Sequence, residues 1–358
     1  FVYSWFVYSS GTSDFYSRKT MPTRGLIRTT MVKLTDIARK LNISPSTVSR
    51  ALNQKGRISP ELRQLILETA DEFQYQPNEY ARFLKTNQTT TIGVILPDIS
   101  NIFYGKLLKG IDATARNNGF SVIFCDSDED LANERTYYEM LKSKNVCGIV
   151  VAPAGVSDIY DNASAEDHIV FVDSAPSGSS SHPVITIDNY RAAYELTEHL
   201  VSLGRSRIYA IVGPRCETSA NDRVRGYLDC LAAHGLPAEG HVFECEHDYA
   251  SGVKAMQKIL SLHTPDAIFT ENNLLAYGAL SVIRAYRLTI PSDLSIACFD
   301  ASDDFGMMSV AFTTIIQPVA EFGKKAVELI VGMNHSQDSY QGPMEILMEY
   351  AFIRGQST

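Results

Sequence analysis

The chain has 358 residues, 45% hydrophobic and 20% charged, with a net charge of −9. That length suits two or three domains with ample core, and the composition excludes a disordered, collagen-like or disulfide-dense chain. No run of about 18 apolar residues occurs, which excludes a helical membrane span. The six cysteines (Cys125, Cys147, Cys216, Cys230, Cys245 and Cys298) are scattered without a C-x-x-C pair, so they read as reduced thiols of a cytoplasmic protein. The charge is uneven: residues 31–60 carry six basic groups against the single acid Asp36, whereas residues 91–358 carry 19 basic and 34 acidic groups. A small basic head on an acidic body is the asymmetry expected when a DNA-reading module precedes a regulatory domain.

Residues 1–30 crowd Phe1, Tyr3, Trp5, Phe6, Tyr8, Phe15 and Tyr16 into one stretch that lacks the pattern of a signal peptide. They read as a non-native or disordered extension, with the native start at Met31 or Met21. From there Leu34, Ile37, Ala38 and Leu41 fall at helical spacing. Ser44-Pro45 starts a second helix through Val48 and Leu52, since serine caps a helix and proline is pre-organised for its first position. Ser59-Pro60 repeats the punctuation and starts a third helix with Leu62, Leu65, Ile66, Ala70 and Phe73 on one face. Helix, tight turn, helix and packing helix is the helix-turn-helix plan, placed over 31–76. Ser46, Thr47, Ser49 and Arg50 give the second helix short hydroxyls and a guanidinium suited to base edges and phosphates. Asn78 to Lys85, within a linker over 77–90, is too short to be a stable helix alone and is expected to order only with support.

From residue 91 apolar strands alternate with helical stretches. Thr91–Leu96, Ser121–Cys125, Gly148–Ala152, Ile169–Val172, Arg207–Val212, Ala267–Thr270, Ser295–Phe299 and Thr313–Ile316 are the strand candidates. Helices are expected between them, as at Phe103–Asn117, Asn133–Lys142 and Arg191–Leu203. The alternation predicts an α/β body of two doubly wound parallel-sheet subdomains. Such sheets bind ligands beyond their strands' carboxyl ends. There the sequence places Asp98, Asn101, Asp126, Asp173, Asn272, Asp300 and Gln317, with Phe103, Tyr104 and Tyr249 as candidate aromatic walls. Carboxylates and amides beside rings suit a polyhydroxylated ligand.

The run Leu34-Thr-Asp-Ile-Ala-Arg-Lys-Leu-Asn-Ile-Ser-Pro-Ser-Thr-Val-Ser-Arg-Ala-Leu-Asn53 resembles the headpiece of the LacI/GalR (lactose-repressor) family. Tyr75-Gln-Pro-Asn-Glu-Tyr-Ala-Arg-Phe-Leu84 resembles that family's hinge, and the likeness continues through Ile92-Gly-Val-Ile-Leu-Pro-Asp-Ile-Ser-Asn-Ile-Phe-Tyr104 to cover 31–354. The resemblance implies a homodimeric, ligand-gated repressor of carbohydrate-utilisation genes on a near-palindromic operator. It implies DNA contacts from Ser44, Pro45, Ser46, Thr47, Ser49, Arg50, Asn53, Asn78 and Ala81, with Leu84 as a minor-groove wedge. It implies a periplasmic-binding-protein-like body over 91–358, with one subdomain at about 91–187 and 319–345 and the other at about 188–318 and 346–358. Its effector contacts would be Asn101, Phe103, Tyr104, Asp173, Arg223, Tyr249, Asn272, Asp300 and Gln317, for a sugar or sugar derivative.

The chain departs from the family pattern at several points. Pro45 offers no side-chain donor to a base, and Lys33 stands where a threonine cap is common. Ser174, Asn273 and Ala301 replace an arginine and two aspartates usual around the sugar. Pro97 to Tyr104 resembles the catabolite-control branch, whose members bind a phosphocarrier protein, and that input is the alternative. No leucine heptad follows Phe352, so a dimer is expected. Asp126-x-Asp128-x-Asp130 lacks the later ligands of a calcium loop, and His241, Cys245 and His247 read as ordinary strand residues. No nucleophile, Walker or dinucleotide motif occurs, so neither enzymatic activity, cofactor nor metal is expected.

Overall fold

The computed structural model describes residues 32–52, 56–75, 89–176, 182–215, 217–301, 310–335, 340 and 344–358. The chain divides into two compact units, Phe1–Arg82 and Phe83–Thr358.

In the first unit α1 (Leu34–Lys40), α2 (Pro45–Leu52) and α3 (Pro60–Glu72) pack around Ile37, Ala38, Val48, Ala51, Ile66 and Ala70. Each large aliphatic side chain buried there contributes about 1.5–3 kcal/mol, which a unit this small needs. Asn42 adopts a left-handed φ of 52° and turns the chain out of α1. The Ser44 hydroxyl caps α2, accepting from the Thr47 amide at 3.1 Å. Ser59 caps α3 through the Leu62 amide at 3.3 Å. The lysine at the start of α1 gives no side-chain cap, since an ammonium cannot accept. Instead the Asp36 carboxylate accepts from the Lys33 amide at 2.9 Å. Lys40 ties α1 to α3, its Nζ 2.6 Å from Glu72 and 4.8 Å from the Phe73 ring centre.

The second unit holds two six-stranded sheets. The first is built from β1 (Thr91–Leu96), β2 (Ser121–Asp126), β3 (Gly148–Val151), β4 (Ile169–Val172), β5 (Val184–Thr186) and β11 (Glu345–Leu347), in the order β11-β5-β4-β3-β1-β2. The second holds β6 (Ile208–Val212), β7 (Val242–Glu244), β8 (Ala267–Thr270), β9 (Ser295–Phe299), β10 (Thr313–Ile316) and β12 (Ala351–Ile353), in the order β12-β10-β9-β8-β6-β7. All eight expected strands are present. The four further strands, β5, β7, β11 and β12, have three residues each, too few to show a period. β12 runs antiparallel to β10, the one exception to parallel pairing among the described strands. The chain changes sheet between β5 and β6, between β10 and β11, and again between Leu347 and Ala351, a few residues beyond the expected 345/346 boundary.

Helices cover the sheets: α4 (Ile102–Asn117), α5 (Leu131–Ser143) and α10 (Val319–His335) the first, and α6 (Asn189–Ser202), α7 (Thr218–Ala233), α8 (Tyr249–Leu262) and α9 (Asn273–Ala285) the second. The α4/α10 crossing is so close that a Cβ on Gly110 would lie 2.1 Å from the Ala320 carbonyl oxygen. The inner strands β3, β4, β6 and β9 are buried on both faces, as parallel sheets require, whereas the edge strands β2, β7, β11 and β12 are largely exposed or half-buried. No helix among the described residues is long and apolar enough to cross a membrane.

Candidate functional site

The α2 surface sorts its residues by side. Val48 and Ala51 face the core, Thr47 and Ser49 are half-buried, and Ser44, Pro45, Ser46 and Arg50 are exposed. Ser44 Oγ lies 2.7 Å from Ser46 Oγ and 2.8 Å from Thr47 Oγ1, so the hydroxyls form one cluster at the helix start. Arg50 Nε reaches the Ser46 carbonyl at 3.3 Å, aligning the guanidinium along the exposed face. Asn53, Asn78, Ala81 and Leu84 lie outside the described residues.

The second unit has a cleft beyond the carboxyl ends of both sheets. Of the expected effector residues, Asn101, Phe103, Tyr104, Asp173, Arg223, Asn272, Asp300 and Gln317 line it. Tyr249 does not: as the first residue of α8 it is 48% exposed. Asp126 also lies elsewhere, accepting from the Asp128 amide at 3.4 Å. Asn101 and Asn272 each cap a helix as well as lining the cleft, accepting from the Phe103 amide at 3.1 Å and the Leu275 amide at 2.8 Å.

Arg223 is the fixed cation. Its Nε donates to Asn189 Oδ1 at 2.8 Å, its Nη1 donates to the Glu271 carbonyl at 2.7 Å, and its plane lies 4.3 Å from the Phe299 ring centre. Its Nη2 is 3.8 Å from Asp173 Oδ1, beyond hydrogen-bond range. Burial raises the Asp173 carboxyl's pKa, and the nearby Arg223 charge offsets this only in part. Asp300 accepts from the Gln317 amide at 3.0 Å and from its side chain at 2.7 Å. Burial still pushes its pKa to about 6, against the lowering effect of Arg223 and Gln317.

Glu129, Glu217 and Glu271, which sequence reasoning passed over, also line the cleft, together with His247, expected on a strand, and Asn273, noted only as a departure from the family pattern. β7 ends at Glu244, so His241, Cys245 and His247 do not share a strand face. His241 stacks on Tyr209 at 4.1 Å, whereas His247 enters the cleft. The ring lies against Gly213, where any Cβ would sit 2.0 Å from His247 Cε1. His247 Nε2 is 3.2 Å from Glu217 Oε1, and Nδ1 is 3.3 Å from Glu271 Oε1. Burial alone would lower the imidazole's pKa. The Glu217 hydrogen bond and the charges of Glu271, Glu217 and Glu129 outweigh it and hold the pKa at about 9. A sequence signal for Glu217 exists: it occupies the N-cap of α7, where glutamate caps poorly, and its side chain makes no cap bond.

The departures from the family pattern have structural roles. Asn273 Nδ2, at the start of α9, donates to Asn101 Oδ1 at 2.9 Å across the cleft. Ser174, after β4, places Oγ 2.9 Å from Thr218 Oγ1 of α7, which also accepts from the Ala175 amide at 3.0 Å. These bonds join the lobes over the cleft. Ala301 is buried in the second lobe's core.

Residues 33–78 match the family described as bacterial regulatory proteins, lacI family. Residues 89–346 match the periplasmic binding proteins and sugar binding domain of LacI family. The chain belongs to the LacI family. This LacI-family chain is 34% identical over 296 residues to the HTH-type transcriptional regulator DegA of Bacillus subtilis (strain 168), covering 80% of this chain and 87% of DegA. It is 30% identical over 334 residues to the HTH-type transcriptional repressor CytR of Escherichia coli (strain K12), covering 92% and 97% of the two chains. The structure of the Lac repressor dimer bound to operator and the anti-inducer ONPF has the same fold, with a TM-score of 0.81 at 23% identity over 91% of this chain and 98% of that one. The LacI-family chain is a DNA-binding transcriptional regulator and not an enzyme.

Proposed function

We propose that this regulator is a homodimeric repressor that reads a near-palindromic operator with the exposed face of α2 and releases or tightens it when a carbohydrate-derived effector fills the cleft. The observation that carries the reading is the cleft itself. Polar side chains from both sheets converge on it, and the lobes meet over it through Asn101–Asn273 and Ser174–Thr218. A ligand bridging both lobes favours the closed arrangement by its differential affinity for that state, typically worth about 1–3 kcal/mol of coupling between sites. Near-palindromic operators suit a dimer because two recognition helices then meet two half-sites.

Two substitutions separate the sites. Asp300→Asn removes a charge from the cleft of the second unit and keeps the side chain's size. Effector-dependent change in operator binding is expected to fall at least tenfold in titrations, while effector-free binding stays within a factor of two. An unchanged response would move the effector out of this cleft. Arg50→Ala removes the exposed guanidinium of α2 and is expected to weaken operator binding by about 1–3 kcal/mol, the range of a base contact, with the effector response intact. Equal loss on operator and random duplex in a gel-shift titration would reduce Arg50 to a phosphate contact.

A further inference from the structure

Six carboxylates line the cleft (Asp98, Glu129, Asp173, Glu217, Glu271 and Asp300), against two groups able to carry positive charge, Arg223 and His247. Arg223 uses Nε and Nη1 on Asn189 and the Glu271 carbonyl and its face on the Phe299 ring; its Nη2 is a buried donor without an acceptor, 3.8 Å from Asp173 Oδ1. The sharpest imbalance is at Glu271, whose side chain follows β8 and is 1% exposed. Neither of its oxygens accepts a hydrogen bond from a described residue. The Gly213 amide lies near enough to favour the carboxylate but does not meet hydrogen-bond geometry. Asp173 Oδ1 and Gln317 Oε1 are likewise buried acceptors without donors. A buried carboxylate without donors costs several kcal/mol, on the order of its lost hydration.

The four orphan acceptor atoms (both Glu271 oxygens, Asp173 Oδ1 and Gln317 Oε1) need more donors than Arg223 Nη2 alone can supply, and the excess charge needs a cation. A neutral sugar would donate hydroxyl hydrogens, but it would also expel water from around like charges and strengthen their repulsion. An anion would be worse. We infer that the cleft takes a compact polyhydroxylated ligand bearing a protonated amine, the chemistry of an amino sugar or amino polyol, with its ammonium at Glu271. This rests on the proposal that the cleft is the effector site. A bound metal ion fits less well, because Glu217 and Glu271 face opposite nitrogens of one imidazole and cannot converge with it on a point. Among the described residues the one group that brings three such ligand atoms together is Glu198, Cys230 and His234, none of which lines the cleft.

The hydrogen bonds around His247 show how an amine would be accommodated. The cap bond to Leu275 fixes Asn272 Oδ1, so Nδ2 points its hydrogens at His247 Nδ1, 3.0 Å away. That contact suits an imidazole protonated on Nε2 only. The neighbouring contact of Nδ1 with Glu271 suits an imidazolium. His247 acts as counter-ion to Glu217 and Glu271, with Glu129 adding its charge from the other lobe and Arg223 helping to neutralise Glu271. An ammonium at Glu271 takes over that role. His247 then gives its Nδ1 proton to solvent and accepts from Asn272.

The test uses the full chain in isothermal titrations at pH 7.5 with glucosamine, galactosamine and mannosamine, each against its neutral parent hexose, and with N-acetylglucosamine as the uncharged amide. The expected result is binding by at least one amine, at least tenfold tighter than its neutral partner, with proton release visible as a heat that changes with the buffer's ionisation enthalpy. Glu271→Gln is expected to erase that tenfold preference. Its ligand-free melting temperature shows whether the variant is folded, and Glu217→Gln, on the far side of the His247 ring from Glu271, should reduce the preference without abolishing it. A neutral hexose that binds as tightly as its amine, and loses affinity with Asp300→Asn, would keep the cleft as effector site and overturn the charge inference. Amine binding indifferent to both Glu271→Gln and Asp300→Asn would overturn the cleft reading as well. No binding by any amine overturns the inference.

Discussion

Replacing Arg223 with alanine is expected to destabilise the second unit by about 3–5 kcal/mol, the cost of removing one partner from a buried ionic network. The guanidinium is almost fully buried, and its loss strands Asn189 Oδ1 and the Glu271 carbonyl without their donors. It also removes the charge that partly offsets the burial of Asp173 and Asp300. Both carboxyl groups should respond by taking up protons, so the loss should be smaller at pH 5 than at pH 8. Arg223→Lys is expected to recover little, because one ammonium nitrogen replaces the two separate nitrogens that reach Asn189 and the Glu271 carbonyl and has no planar face to stack on Phe299. Denaturant titration of the unfolding transition checks this, and a loss below about 1 kcal/mol at pH 8 would mean the network is not structural.

Stability of the same unit is expected to decline continuously as pH rises from about 4 to about 9, without the neutral-pH maximum common in globular proteins. The groups with the largest upward shifts set this slope, His247, Asp300 and Glu129, whose carboxyl burial pushes up to about 7; His182, His199 and His241, lowered by burial, oppose it in part. The folded pKa of His247, about 9, lies above its unfolded value, so its contribution is complete below about 6.5 and lost as pH rises through 9. Asp300, at about 6 when folded, also binds its proton more tightly in the folded state, and its penalty develops between about pH 4 and 6. These slopes have the same sign because in each case the folded state holds more protons. The His247 share is on the order of 2–3 kcal/mol. Thermal melts across pH 4–9 should therefore fall steadily, and His247→Gln should flatten the curve above pH 6.5. A variant whose upper slope matches the parent's would show that the imidazole is not the titrating group.

The sequence by itself determined the helix punctuation, the eight longer strands and most of the cleft's rim. Ser59-Pro60 starts α3 through local bonds, and a capping serine acts within three residues of itself. The inner strands β3, β4 and β8 are almost wholly apolar on both faces, so their burial is written into the run. Asn101, Asp173, Asn272, Asp300 and Gln317 were legible because a doubly wound sheet sends its strand ends to one edge, and strand ends can be read from where apolar runs stop.

Only the tertiary structure decided the cleft's floor and its charge. His247 looked like a strand residue because its period-2 spacing from Cys245 and His241 continues past the point where β7 stops pairing with β6. Its place depends on Gly213, 34 positions earlier, having no side chain where the ring lies. Glu271 looked like one more acid in an acidic body, yet burial leaves both its oxygens without donors. Asn273 and Ser174 stood only as departures from the family pattern, and they form bonds between the lobes with partners 172 and 44 residues away. In each case the deciding quantity is which groups are brought together and dried. That depends on contacts between distant segments, and no local pattern of residues encodes it.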